Sequence, residues 1–274
     1  MLAGLLAEEL TAWPGAAGVA VLDADGVVAS AGDLTTPCRW ASVTKILAAL
    51  TTLLAADAGL LDLDEPAGPP GATVRHLLAH ASGVAFDEDR IVAAPGRRRI
   101  YSNRGIELLA DRVAARAGRP FAELLAETVL TPLGMTGTVL HGSPAHGCQG
   151  PVGDLALLAR ELLAPRRLPA HLVRATATTT FPGLAGILPG FGRQDPNDWG
   201  LGLEIRGTKS PHWTAPTASP ATFGHFGQSG SFLWVDPEAA TACVSAGETP
   251  FGPWATTAWP QLAGLVLARR HASD

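Results

Sequence analysis

The chain has 274 residues, 47% of them apolar and 16% charged, which is enough for one large or two modest domains with a sizeable core. That balance excludes a disordered polyelectrolyte and a disulfide mini-protein. A formal net charge of −5, with Arg97-Arg98-Arg99 as the only run of three basic residues, gives no reason to expect nucleic acid or a membrane as partner.

Residues 2–11 carry Leu2, Leu5, Leu6 and Leu10 at helical spacing and stop before Pro14-Gly15, which predicts a short helix. Glu8 and Glu9 break its apolar stretch and no basic residue precedes it, so the start does not read as a signal peptide. No window offers the roughly 18 apolar residues of a membrane span. Segments 18–23 and 27–30 predict a hairpin turning at Asp25-Gly26. From 42 to 57 the apolar positions Val43, Ile46, Leu47, Leu50, Leu53 and Leu54 recur at helical spacing, and Gly59 lies just beyond.

A turn-rich stretch over 62–71 is followed by predicted helices over 74–79, 103–117 (closed by Gly118), 120–130 and 152–163. The last third changes character. Strands are expected over 200–206, 231–235 and 241–246, with 236–238 as the turn between the last two, and a final helix over 255–270 is interrupted near Pro260. Strands at both ends around a helical middle imply an α+β fold, an antiparallel sheet built from both termini and flanked by helices. The expected division is a sheet domain of residues 1–58 and 197–274 and an all-helical domain of residues 59–196. Cys38, Cys148 and Cys243 are odd in number and widely spaced, which favours free thiols in a reducing compartment and a cytoplasmic reading.

Candidate chemistry rests on scarce residues. The chain holds one tyrosine, Tyr101, two lysines, Lys45 and Lys209, and two asparagines, Asn103 and Asn197. Lys45 follows Ser42 by three residues at the start of the 42–57 helix, so the two side chains share one helix face. A serine hydroxyl needs a base within hydrogen-bond reach, and a lysine whose burial lowers its pKa can be that base. A helix start also offers backbone N–H groups to a developing oxyanion. The bland alternative is a helix-capping serine and a surface lysine. Tyr101 stands two residues before Asn103 where a loop enters a helix. A phenol beside a desolvated lysine can act as acid or base, and an asparagine can hold a substrate carbonyl or amide. Packing and capping are the structural alternatives. Near the C-terminus, Phe223-Gly224-His225-Phe226-Gly227-Gln228-Ser229-Gly230 is dense in glycine and lets backbone run close to a ligand.

The ordered trio Ser42-x-x-Lys45, Tyr101-x-Asn103 and His225-x-Gly227 resembles the serine β-lactamase and penicillin-binding-protein superfamily, in particular its class C, D-alanyl-D-alanine carboxypeptidase and esterase branch. The segments Arg39-Trp40-Ala41-Ser42-Val43-Thr44-Lys45, His76-Leu77-Leu78-Ala79-His80-Ala81-Ser82-Gly83, Pro132-Leu133-Gly134-Met135 and Leu233-Trp234-Val235-Asp236-Pro237-Glu238 are similar to that branch as well. The resemblance implies a β-lactamase/transpeptidase-like fold. It further implies Ser42 as acylated nucleophile, Lys45 as its proton partner, Tyr101 as general base and acid, and an oxyanion hole from the backbone N–H groups of Ser42 and Gln228. Asn103, His225, Phe226 and Gly227 would contact substrate.

Two departures from the branch stand out: His225 takes a place often held by lysine, and Phe226 a place commonly small or hydroxylated. Both weaken anion recognition at that edge. The chain is also short for the branch, which implies a trimmed helical lobe and a more open cleft. The expectation is therefore a serine hydrolase of small esters or amides with weak or no β-lactamase activity. The alternatives are a slow acyl-trapping binding protein and a D-amino-acid peptidase or β-lactamase. No cofactor or metal is expected, since His76 and His80 lack the glutamate of a zinc-peptidase helix and a third ligand. No Gly-x-Ser-x-Gly elbow or phosphate loop is present. Arg97-Arg98-Arg99, just before Tyr101, could restore anion binding, but is expected as a solvated loop.

Overall fold

Both ends of the chain contribute strands to one antiparallel sheet in the computed structural model, which describes residues 2–271. The helices are α1 (Leu2–Thr11), α2 (Thr44–Asp57), α3 (Val74–Leu78), α4 (Asn103–Ala117), α5 (Phe121–Leu125), α6 (Thr131–Leu133), α7 (Val152–Leu163), α8 (Ala170–Thr176) and α9 (Pro253–His271). The strands are β1 (Ala17–Leu22), β2 (Val27–Gly32), β3 (Cys38–Arg39), β4 (Val139–Leu140), β5 (Cys148–Gly150), β6 (Gly186–Leu188), β7 (Gly192–Gln194), β8 (Glu204–Ile205), β9 (Phe223–Phe226), β10 (Phe232–Asp236) and β11 (Thr241–Gly247). The main sheet runs β2-β1-β11-β10-β9-β8.

Both faces of that sheet are covered, so its central strands read as near-continuous apolar runs. Alternation along each strand sorts the side chains between two cores. Ala20, Leu22, Leu233, Val235 and Val244 join α2, α4, α5 and α7 on one face. Val19, Val21, Phe232, Trp234 and Cys243 meet Leu6 of α1 and Trp259, Leu262 and Val266 of α9 on the other. The first core is continuous from the sheet into the helical segment, and α7 packs directly on β1, β10 and β11. We propose the 1–58 plus 197–274 and 59–196 division on this basis as two parts sharing one core.

Helices α1, α4 and α7 have the bounds that periodicity and capping predict, and Gly118 closes α4 in the left-handed conformation at φ 64°. Elsewhere the structure departs from expectation. The strand expected over 200–206 shrinks to two residues because Gly200 and Gly202 carry the chain flush against α8 and α2. A Cβ at Gly202, where φ is 97°, would stand 2.1 Å from that of Ala49. Helix α9 runs through Pro260 unbroken: its buried apolar stripe outweighs the one hydrogen bond that proline removes. The helix expected over 120–130 divides into α5 and a π-helical turn at Ala126–Leu130. The short strands β3 to β7 and helix α8 carry too few periodic residues to be legible.

Cys38, Cys148 and Cys243 are free thiols. No helix among the described residues is long and apolar enough to cross a membrane.

Candidate active site

Trp40 is fully buried and fixes the entry to α2: its backbone N–H donates to Cys148 O at 3.0 Å and its indole to Gly150 O at 2.9 Å. The next residues, Ala41–Val43, form a 3₁₀ turn that opens at a left-handed Ala41, φ 43°. Neither that turn nor α2 has a side-chain cap, so Ser42 does not act as one. Its hydroxyl instead accepts from Lys45 Nζ at 3.1 Å. Lys45 has no solvent exposure, and its amine also donates to Asn103 Oδ1 at 2.6 Å and Ala145 O at 2.9 Å. Burial pushes its pKa down to about 7, against the opposing pull of Asp87 and Glu107.

Tyr101 approaches the same hydroxyl from the loop before α4, and its phenol and Ser42 line one cavity. The helix start behind it is capped by Ser102, whose Oγ accepts from Gly105 N at 2.8 Å and donates to Ala85 O at 2.7 Å. The Lys45 ammonium position lies 4.7 Å from the Tyr101 ring centroid. Burial holds the phenol above its usual pKa, so it is protonated at rest. Asn103 lines the cavity with its amide largely engaged, the oxygen by Lys45 and the nitrogen by Asp87 Oδ1 at 2.8 Å.

The third element is β9 and the turn after it. Alternation sends His225 to the side of Tyr101 and Phe226 toward the second core, where its ring lies 5.0 Å from Phe251 and 5.7 Å from Trp259 while an edge still lines the cavity. His225 Nδ1 lies 2.8 Å from the Phe226 carbonyl, which only accepts, so this nitrogen carries the proton and Nε2 presents a bare lone pair with no partner. Burial first, and the Lys45 charge second, push the His225 pKa down to about 3, and the ring is neutral.

Gly227 allows the closest approach in the site: a Cβ there would stand 2.3 Å from Trp40 O and 3.1 Å from the Ala41 Cβ. The turn carrying Gln228 is thereby pressed against the turn carrying Ser42, a contact tied further by Ser231 Oγ donating to Trp40 O at 2.7 Å. Among the described residues the backbone N–H groups of Ser42 and Gln228 donate to no backbone carbonyl, and both residues line one cavity of about 400 Å³. The Gln228 side chain points away and donates to Phe251 O.

The same cavity is lined by Arg39, Phe86, His146, Leu188, Pro189, Trp199 and Glu204, none of which sequence reasoning singled out. Apart from Arg39, which belongs to the 39–45 segment, these come from strands and loops far apart in the chain with no shared motif, so only folding assembles them. Glu204 is buried and accepts from Lys209, from His212 Nε2 at 3.0 Å and from Trp213 Nε1 at 2.6 Å. The second lysine is thus an ion-pair partner. His80, left-handed at φ 52°, packs on Tyr101 with ring centroids 4.7 Å apart, and its Nδ1 accepts from Ser102 N at 3.2 Å. His76 turns to Thr73 and Phe181 instead. The expectation of a solvated Arg97-Arg98-Arg99 loop fails at Arg99, which is 2% exposed and donates to the carbonyls of Ala79, Thr180, Phe181 and Asn197. Four inward-facing carbonyls supply the acceptors that make burying a guanidinium tolerable.

Comparison with known proteins gives a consistent picture. The family model described as Beta-lactamase matches residues 5–269. A crystal structure of a beta-lactamase from Mycobacterium bovis superposes with a TM-score of 0.94 at 49% identity, covering 96% of this chain and 98% of that one. A simvastatin synthase variant from Aspergillus terreus superposes at 0.78 and 16% identity over 99% and 95% of the two chains, a likeness of fold alone. The D-alanyl-D-alanine-carboxypeptidase/endopeptidase AmpH of Escherichia coli (strain K12) is 28% identical over 143 residues, 39% of this chain and 37% of the relative's length.

Proposed function

The chain belongs to the beta-lactamase family, and from that premise we propose that it is a serine hydrolase working through an acyl-enzyme on Ser42, on small esters or amides, with weak or no turnover of β-lactams. The observation that carries this reading is the Ser42 hydroxyl held between a buried Lys45 amine, pKa about 7, and the protonated Tyr101 phenol. In the neutral form Lys45 Nζ takes the Ser42 proton as Oγ bonds to the substrate carbonyl carbon. The carbonyl oxygen, now anionic, is met by the N–H groups of Ser42 and Gln228. Tyr101 gives its proton to the departing oxygen or nitrogen and regains one from Lys45. Water then attacks the acyl carbon, and the same groups run in reverse to release the acid and restore Ser42.

Esters are preferred over β-lactams because the edge at His225 and Phe226 offers a neutral imidazole and an apolar ring to a substrate carboxylate. Arg39 lines the mouth but is exposed there, where solvent weakens its pull. A β-lactam or D-amino-acid peptide reading is favoured instead by the 49% identity to the M. bovis beta-lactamase and the match to AmpH. A fluorophosphonate probe is expected to label Ser42 in the wild type and not in Ser42→Ala, with hydrolysis of p-nitrophenyl butyrate at a higher kcat/KM than nitrocefin. Absence of labelling would sink the nucleophile assignment. Faster nitrocefin turnover would reverse the order of substrates.

A further inference from the structure

A second groove, of about 370 Å³, adjoins the active-site cavity and shares Phe86, Tyr101 and Pro189 with it. Its walls are the 84–100 loop and the β6-β7 hairpin. Among the described residues seven large apolar side chains are exposed, and three of them, Phe86 (51%), Val92 (39%) and Ile187 (60%), line this groove while Ile91 (53%) adjoins Val92. A concentration of exposed apolar side chains beside a catalytic cavity marks a binding surface. The walls are fixed. Arg99 staples the 84–100 loop to four carbonyls, its own N–H donates to Ala185 O at 2.9 Å, and a Cβ at Gly186 would stand 2.4 Å from Arg99 O. A preformed groove needs no ordering on binding, which favours affinity.

Two guanidiniums stand on its rim. Arg193 lies opposite Ile187 in the β6-β7 pairing and carries an exposed pair with Asp195, whereas Arg98 is exposed and faces no carboxylate within ion-pair distance among the described residues. Asp87, Glu88 and Asp89, from the same loop, are engaged by Asn103, Arg90 and Arg104. We propose that this groove receives a long apolar arm of the ester or amide turned over at Ser42, with an anionic group at the arm's far end met by Arg98. The assignment rests on the hydrolase reading and specifies its substrate class: an acyl compound with an extended aliphatic arm and a terminal carboxylate or comparable anion.

The test is a kcat/KM series on the full chain with p-nitrophenyl acetate, butyrate and octanoate, the p-nitrophenyl monoester of suberic acid, and octyl acetate for an arm on the alcohol side. At least one lengthened arm is expected to raise kcat/KM about tenfold over its short counterpart, chiefly through KM. Ile187→Asp, at an exposed position, is expected to collapse that long-to-short ratio. The suberate monoester is expected to exceed octanoate at low salt and to lose that advantage in Arg98→Ala. Turnover of acetate with no gain on either side, or a chain-length ratio unchanged in Ile187→Asp, overturns the groove while leaving Ser42 catalysis standing. A suberate advantage that is absent, or that survives Arg98→Ala, overturns the anionic end. Failure of Ser42 to take the fluorophosphonate is the separate result that removes the hydrolase reading itself.

Discussion

Removing the Asp87 charge tests the central electrostatic claim, because that carboxylate opposes the burial that lowers the Lys45 pKa. At a pKa of about 7 roughly half of the Lys45 amines are neutral at pH 7, against roughly one in a few thousand for an ordinary lysine. Asp87 and Lys45 are linked through the Asn103 amide by hydrogen bonds of 2.8 and 2.6 Å. The two charges are therefore within about 8 Å, where an effective dielectric of about 20 gives about 2 kcal/mol. Asp87 is exposed, and solvent screening brings the expected effect down to about half to one pH unit. Asp87→Asn keeps an acceptor for Asn103 and removes the charge. The sign follows directly: without the carboxylate the ammonium form loses support, its pKa falls, and neutral Lys45 is present at lower pH. The ascending limb of kcat/KM for p-nitrophenyl butyrate is expected near pH 7 in the wild type and shifted to lower pH in the variant, with rates converging above about pH 8. A midpoint that stays put or moves upward would refute Lys45 as the titrating base, as would a limb that persists in Lys45→Ala.

The remaining expectations concern other parts of the site and its support. Tyr101→Phe should leave the circular dichroism spectrum unchanged and reduce kcat by about 10² or more, the usual scale of a lost proton-transfer group; undiminished turnover would reduce Tyr101 to a packing residue. Gly227→Ala puts a Cβ 2.3 Å from Trp40 O and should both slow Ser42 labelling and cost about 1–3 kcal/mol by denaturant titration, whereas wild-type labelling would mean that the two turns tolerate separation. Glu204→Gln leaves Lys209 and His212 without their buried anion and should cost about 3–5 kcal/mol. Lys209 and His212 hold the Glu204 carboxyl well below the usual range despite its burial. Its contribution is therefore complete above the unfolded carboxylate pKa and lost as pH falls through the folded one. A stability difference between wild type and variant that did not shrink in strong acid would contradict this pairing.

Much of the site could be read locally. Ser42 and Lys45 share a face because a helix turns once in about 3.6 residues, and Tyr101 and Asn103 are joined by the same loop-to-helix junction. Scarcity helped, since a chain with one tyrosine and two lysines offers few places for a phenol and an amine to meet. The resemblance to a known superfamily linked the three segments, which no spacing argument could have done. Strand 223–226 escaped notice because it is short and carries Gly224, whose missing side chain lets it lie flush against the Leu233 carbonyl.

What the sequence determined by itself, then, was the set of elements whose cause is local: the periodic helices, the hairpin, the glycine stop after α4, and which scarce side chains lie within a turn of one another. The tertiary structure decided protonation and shape. Lys45 is lowered to about 7 because the folded chain buries it, among segments 58 and 100 residues away that carry Asn103 and Ala145, and burial with β9 in the same enclosure lowers His225 to about 3. Arg99 passes from an expected solvent loop to the staple of a groove because carbonyls from three distant segments converge on it. Periodicity depends on neighbours along the chain, whereas burial and electric field are sums over neighbours in space, and only the folded chain fixes those.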